Sequence, residues 1–333
     1  MRPNWIADAS MINDFRKCPE FARLRHHLGL VRPGYEEMTG SGTAWHAAME
    51  AWFDKNDDDG GYVSFDFALD VLREAWGDEP APMFEGEAPF RKRPLELFER
   101  MLAIYCEKYP REDDPFEVVG NEEYVAYCLG DDLAYDPESP PPYHLTFDYC
   151  GIRDRKIHFP DDSEYVVDTK STSANLNRSY FDAFELSQAM IGYCALELVH
   201  GRRCDGFMID AAHVGQYFQK MTKTKGLQTY GGDVKPEDFV RYGPIRVAQW
   251  QLSRWAKDTE VAIRQIEQCV AQYGDGEPWE RREQGCFRWN KPCEYWNRPG
   301  TGLPGICRCP EEMHPQLMAE YETSFWDPRE RGN

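Results

Sequence analysis

Two periods of apolar residues alternate along the chain. Met11 and Phe15, then Phe21, Leu24 and Leu28, recur at three- and four-residue steps, so residues 9–30 predict helix. Cys18-Pro19 interrupts the step, because proline lacks an N–H and restricts the residue before it. Two short helices therefore meet at Cys18, the first with Ser10 as its N-cap. Residues 40–55 form a helix after a glycine-rich entry, with Trp45, Ala48, Met49 and Phe53 on one face and His46 one position off it. Residues 65–76 and 93–109 are amphipathic helices, separated by a Pro/Glu-rich loop over 77–92. An acidic turn at 56–61 lacks the spaced ligands and closing Glu of a calcium loop.

The period then shortens to two. Residues 116–129 read as a strand, 131–143 as a proline-rich acidic loop, and 145–172 as two strands joined at Pro160-Asp161-Asp162-Ser163, where Pro fixes φ and Asp bonds its own backbone. A polar connection over 173–180 leads to a helix at 181–200, a core strand at 206–213, a basic glycine-containing hairpin within 215–232 and a long amphipathic helix within 236–272. The end, 276–310, is rich in Trp, Pro, Gly and Cys and reads as an irregular module held by something other than a core. This order predicts an α/β fold: a helical N-terminal region over 1–115, a mixed central sheet flanked by helices over 116–235, and a C-terminal helix with a Cys-rich module over 236–333.

Composition sets limits on function. The 333 residues, 41% hydrophobic and 14% aromatic, suffice for a sizeable core. No run of about 18 apolar residues exists and the first residues lack an apolar signal segment, so a cytoplasmic protein without a membrane span is expected. The net charge of -20 excludes a generic nucleic-acid coat and leaves a groove lined by local basic clusters: Arg16, Lys17, Arg23 and Arg25; Arg91-Lys92-Arg93; Arg153, Arg155 and Lys156; Lys220, Lys223 and Lys225. The 11 cysteines read as thiols or metal ligands in a reducing compartment. Cys286, Cys293, Cys307 and Cys309 crowd the last fifth, whereas Cys106, Cys128, Cys150, Cys194, Cys204 and Cys269 sit singly among apolar residues, as small core residues do.

Chemistry concentrates on the hairpin. Asp168 and Lys170 point to one face of their strand, and Asp154 on the preceding strand lies near the same end. Two carboxylates and an ammonium suit metal-assisted attack on a phosphodiester, in which Mg²⁺ or Mn²⁺ takes hard oxygen ligands and the lysine orients water or balances charge. The bland alternative is a polar hairpin with an Asp and a Lys on its solvent face.

Several pieces together, in order, resemble the PD-(D/E)xK nucleases of the RecB type, particularly the iron–sulfur branch that contains AddB, the CRISPR-adaptation nucleases and many phage exonucleases. They are Cys18-Pro19, then Gly42-Thr43-Ala44-Trp45-His46-Ala47-Ala48-Met49-Glu50, then Gly151-Ile152-Arg153-Asp154, then Val166-Val167-Asp168-Thr169-Lys170-Ser171-Thr172, then Gln188 and Tyr193, then the cysteine-rich end. The resemblance, over about residues 8–310, implies a restriction-endonuclease-like core. It implies His46, Asp154, Asp168 and the Thr169 carbonyl as ligands of Mg²⁺ or Mn²⁺, and Lys170 as the catalytic lysine. Gln188 and Tyr193 would support the site and contact DNA, although they stand five apart where the family spaces them four apart. Glu123 on the preceding strand is a further acid, or a plain strand-edge carboxylate.

The resemblance also implies a [4Fe–4S] cluster on Cys18, Cys293, Cys307 and Cys309, with Cys286 as substitute for one of the close pair; structural Zn²⁺ and unliganded thiols are the alternatives. The function so implied is a metal-dependent exonuclease on DNA ends, single-stranded or processed, in recombination, repair or phage DNA metabolism. A helicase, recombinase or adaptation complex would be its companion. The rival is a non-cleaving end-binding or assembly subunit that keeps the fold.

Overall fold

A computed structural model describes residues 7–31, 35–55, 61–77, 94–127, 147–215, 217–222, 226–231, 233–274, 277–288, 291–297 and 303–325. The loop expected at 131–143, most of those at 56–61 and 77–92, the Arg91-Lys92-Arg93 run, Lys223, Lys225 and Cys128 lie outside the described residues.

Five strands form one mixed sheet in the order β1-β2-β3-β4-β5: β1 Glu117–Tyr127, β2 Tyr149–His158, β3 Glu164–Thr172, β4 Gly206–His213 and β5 Phe239–Arg246. β1–β2, β2–β3 and β4–β5 are antiparallel, while β3–β4 is parallel. The parallel pair needs a crossover, which the segment carrying helix Gln188–Val199 supplies. The β2–β3 turn closes as its chemistry predicts, with Ser163 N–H donating to Asp161 Oδ1 at 3.1 Å and Asp162 at positive φ. β5 was not expected: residues 239–246 read as part of the C-terminal region, because Gly243-Pro244 breaks the strand pattern at a sheet edge.

Helices cover both faces, and period-two alternation decides which side chains meet them. We label these helices α1 Ala9–Lys17, α2 Tyr35–Phe53, α3 Phe65–Trp76, α4 Leu95–Lys108, α5 Gln188–Val199 and α6 Gln249–Tyr273. Tyr165, Val167 and Met208 join Trp45, Met49, Leu72, Phe98 and Leu102 in a core under α2, α3 and α4. Val166, Phe207 and Ile209 join Ile191, Cys194, Leu196 and Trp255 in a second core under α5 and α6. A buried Phe or Leu side chain stabilises by about 1.5–3 kcal/mol, so these two layers hold the sheet in place.

Three local expectations change. The α1 N-cap is Asp8, whose Oδ1 accepts Met11 N–H at 2.7 Å, not Ser10. The helix expected at 181–200 begins only at Gln188, capped by Ser187, after a short helix Arg178–Asp182 and a turn. The C-terminal module does have a small core, in which Leu24, Leu30, Tyr295, Ile306 and Leu317 are buried together. It closes on the N-terminal region: Leu30–Val31 pairs with Glu322–Thr323, and Tyr295 Oη donates to the Leu30 carbonyl. Cys18 is the extended joint between α1 and the helical turn Pro19–Ala22.

Candidate metal centre and its surroundings

The β2–β3 ladder stops at the pair Arg155↔Val167. The next pair would set Asp154 against Asp168, and there the strands part. The Asp154 side chain takes over from the ladder, accepting Thr169 N–H on Oδ2 at 2.5 Å. His46 Nδ1 reaches the same Oδ2 at 3.4 Å from α2. Small residues permit that approach: Ala44 and Ala48 are fully buried, and a Cβ at Gly42 would lie 3.9 Å from Ser171 Oγ of β3. His46 stays off the core stripe and half-buried, facing the parted strands.

On the preceding strand it is Glu122 that comes near His46 and Asp154. His46, Glu122 and Asp154 each offer a ligand atom, all within 4.8 Å of one another. Glu123, one residue on, instead receives Arg153 and Arg202. A register shift between Val118 and Gly120, together with a positive φ at Glu122, turns the strand so that the expected and actual faces exchange. Sequence spacing gives no sign of that bulge.

Lys170 Nζ lies 2.8 and 2.7 Å from the two oxygens of Asp168, with its side chain 39% exposed against 8% for Asp168. Burial works against the Lys170 charge, but Asp168 and Asp154 outweigh it and raise its pKa. For Asp154 burial is likewise opposed, here by His46, Lys170 and the Thr169 N–H, and its pKa falls to about 2. Asp168 moves the other way, raised by burial and by Asp154. Two carboxylates and an imidazole within 4.8 Å of one another, with a third carboxylate beside them, form a donor set that can hold a divalent metal ion.

Gln188 and Tyr193 occupy different faces of α5. Position 192, four residues after Gln188, is glycine, and a Cβ there would stand 2.7 Å from Tyr149 Oη and 3.0 Å from Trp255. The tyrosine falls one residue later, and its ring lies so close to Gly151 of β2 that a Cβ on that glycine would be 2.4 Å away. Gln188 gives its carbonyl to Trp255 Nε1 at 2.9 Å, and its Oε1 is buried without a hydrogen-bond partner among the described residues.

The basic run on β2 does not line a groove. Arg153, Arg155 and Lys156 are buried: Arg155 bonds Asp210 at 2.7 Å, Lys156 bonds Glu164 at 2.6 Å, and Arg153 and Lys156 both reach the fully buried Glu197 at 3.1 Å. Arg23 is likewise buried against Glu20.

Among the cysteines, Cys150 and Cys194 are buried and Cys106, Cys204 and Cys269 half-buried. Burial first, and neighbouring thiols or acids after it, push up Cys286, Cys293 (to about 11) and Cys307, and the charge of Cys18 acts on all three. Cys309 has its Sγ 3.9 Å from the Pro304 carbonyl and lines, together with Cys307, an open cavity of about 380 Å³. A tetrahedral Zn²⁺ with bonds of about 2.3 Å would bring four sulfurs to about 3.8 Å apart. Among the described residues no three thiols come within 4.8 Å of one another.

No helix among the described residues is long and apolar enough to cross a membrane. No curated protein matches the chain. The profile of the PD-(D/E)XK nuclease superfamily matches residues 9–298, which contain the parted hairpin, its lysine and the helix that brings His46, and on that match the chain belongs to the PD-(D/E)XK nuclease superfamily.

Proposed function

We propose that this member of the superfamily is a Mg²⁺- or Mn²⁺-dependent exonuclease acting on DNA ends. The observation that carries the reading is the convergence of His46, Glu122 and Asp154 where β2 and β3 part, with Lys170 and Asp168 alongside. His46, Glu122, Asp154, Asp168 and the Thr169 carbonyl would hold the cation. When bound, such a cation supplies Lewis-acid polarisation of the phosphodiester and an acidified water. The chain's own part is positional. Asp154 is oriented from two sides by His46 and the Thr169 N–H, so little rearrangement is needed on binding. Lys170, the most exposed of the central acid–amine pair, presents its ammonium to a phosphate oxygen or to the attacking water and offsets charge as it develops.

Cys18, Cys293 and Cys307, with Cys286 preferred over Cys309 as the fourth, would hold a [4Fe–4S] cluster as a staple between residue 18 and the C-terminal module. Burial raises the pKa of Cys286, Cys293 and Cys307, and Cys18 acts on each of the three, which supports grouping these four. A helicase, recombinase or adaptation complex would present the DNA end.

Digestion of end-labelled open and end-blocked DNA with Mn²⁺ tests the reading. Degradation of the open substrate alone is expected; equal cutting of both makes the enzyme an endonuclease, and binding without cutting defeats the catalytic role.

A further inference from the structure

The parallel pair β3–β4 ends in residues that the metal centre leaves unused. Lys170 pairs with Ala211 and Thr172 with His213, and the Val214 N–H closes the ladder on the Thr172 carbonyl at 2.7 Å. Ile209 and Ala211 pack under α5, whereas Met208, Ala212 and Val214 pack on the opposite side. His213 therefore continues the α5 side by a step of two. On β3 that side starts with Val166 and runs on through Asp168 and Lys170. Strand geometry sets the His213 and Lys170 backbones about 8 Å apart at one end of the sheet. That end is where parallel strands of an open α/β sheet take their ligands.

His213 is also held in one orientation. Its Nδ1 lies 3.2 Å from Asp238 Oδ1 at the head of β5, and Asp238 Oδ2 accepts the Lys235 N–H at 2.8 Å. A carboxylate only accepts, so Nδ1 carries the proton that joins them. Nε2 has no hydrogen-bond partner among the described residues, and the side chain is 25% exposed. One nitrogen orients the ring and the other is on offer.

The neighbouring sequence is a second, independent observation. From Ala211 to Gly232 no Asp or Glu occurs, and acids resume only at Asp233. The chain has 58 acids in 333 residues, so a stretch of this length would carry about four at the average frequency. Lys220 lies within it, on the strand Tyr217–Thr222 of a two-stranded ribbon that begins just after His213. In a chain of net charge -20, an acid-free segment rooted beside Lys170 marks where a polyanion can approach.

We propose that His213 Nε2 contacts the backbone phosphate next to the scissile one, so that Lys170 and His213 hold two successive phosphates across the β3–β4 edge. In the doubly protonated ring both nitrogens donate, one to Asp238 and one to a phosphate oxygen. The contact is to the backbone and makes no choice between single strand and duplex. The proposal rests on the nuclease reading and adds a substrate contact to it; Asp238 is a positioning residue within it.

The test moves a neutral methylphosphonate, one position at a time, inward from the end of a labelled oligonucleotide. With Ca²⁺ in place of Mn²⁺, binding is read by fluorescence anisotropy without cleavage. One inward position should weaken wild type about tenfold, yet cost His213→Ala nothing beyond the tenfold it already loses on natural DNA. His213→Gln keeps an N–H donor at that place and should recover part of the affinity. With Mn²⁺, His213→Ala should raise KM about tenfold with kcat little changed. Additive losses from the variant and the methylphosphonate at every position, or a fall in kcat at constant KM, overturn the contact. If wild type cuts nothing with Mn²⁺, the nuclease reading fails, and the anisotropy series still decides the contact.

Discussion

His46 Nδ1 and the Thr169 N–H converge on one atom, Asp154 Oδ2, at 3.4 and 2.5 Å. A helix from the N-terminal region and the neighbouring strand therefore aim the same oxygen. The centre is as rigid as the docking of α2 on β3, which the buried Ala44 and Ala48 make close.

Removing the donors should separate binding from chemistry. His46→Ala and Asp154→Asn are expected to weaken Mn²⁺ binding more than about tenfold, by isothermal titration, in line with the loss of a direct ligand. Lys170→Ala should bind Mn²⁺ as wild type does yet lose roughly a hundredfold or more in cleavage. Its side chain is 39% exposed but its partner Asp168 only 8%, so a lower melting temperature is expected alongside, and cleavage is compared at a temperature where both proteins are folded. Retained activity in Lys170→Ala would remove that residue from the mechanism.

The cysteine assignment predicts a graded series. Cys18→Ser, Cys286→Ser, Cys293→Ser and Cys307→Ser should each lower bound iron after anaerobic purification, while Cys309→Ser keeps it. Zinc in place of iron, or an iron loss confined to Cys309→Ser, contradicts the assignment.

Glu197 is fully buried on α5 and faces Arg153, Lys156 and Arg202. Glu197→Ala leaves three cations around an empty site, and breaking a buried pair in this way costs about 3–5 kcal/mol. Urea unfolding should show a loss of that size, and a change below about 1 kcal/mol would mean that the cations find other partners.

Acid stability should depend on Asp205, which accepts the Glu164 N–H at 2.9 Å and Arg203 Nε at 2.8 Å. Burial alone would raise its pKa, but the Arg203 bond, the Glu164 N–H and the Arg203 charge outweigh it and hold the value below the ordinary 3.8. A carboxylate depressed in this way stabilises the fold above 3.8, and the contribution fades as pH falls through the folded-state value. Asp205→Asn should therefore unfold at lower urea than wild type near about pH 7, and the two should converge towards about pH 2. A gap of constant size would disprove the linkage.

Much of the fold and part of the site could be read from residue order. The hairpin around Asp154 and Asp168 was legible because alternation and turn chemistry agree over a short span. His46 stood out because it leaves the Trp45–Met49 stripe by one position. Glu122 was missed in favour of Glu123, since a count by twos cannot see the shift at Val118/Gly120. Arg153, Arg155 and Lys156 looked like a solvated basic run because their partners, Glu197 and Asp210, arrive from other elements. β5 escaped because Gly243-Pro244 interrupts a half-exposed edge strand. The ion pairs on β2 join distant parts of the chain, which no local pattern encodes, whereas the bulge and the Gly-Pro break are local irregularities that a count by twos passes over.

The short ladder between Leu30–Val31 and Glu322–Thr323 has a consequence for biosynthesis. Residue 30 leaves the ribosome long before residue 323, by roughly fifteen seconds to a minute at the usual pace of translation. During that interval Leu24 and Leu30 have no Tyr295, Ile306 or Leu317 to cover them. The nascent chain thus emerges with an apolar N-terminal segment that stays uncovered until its C-terminal lid has been made.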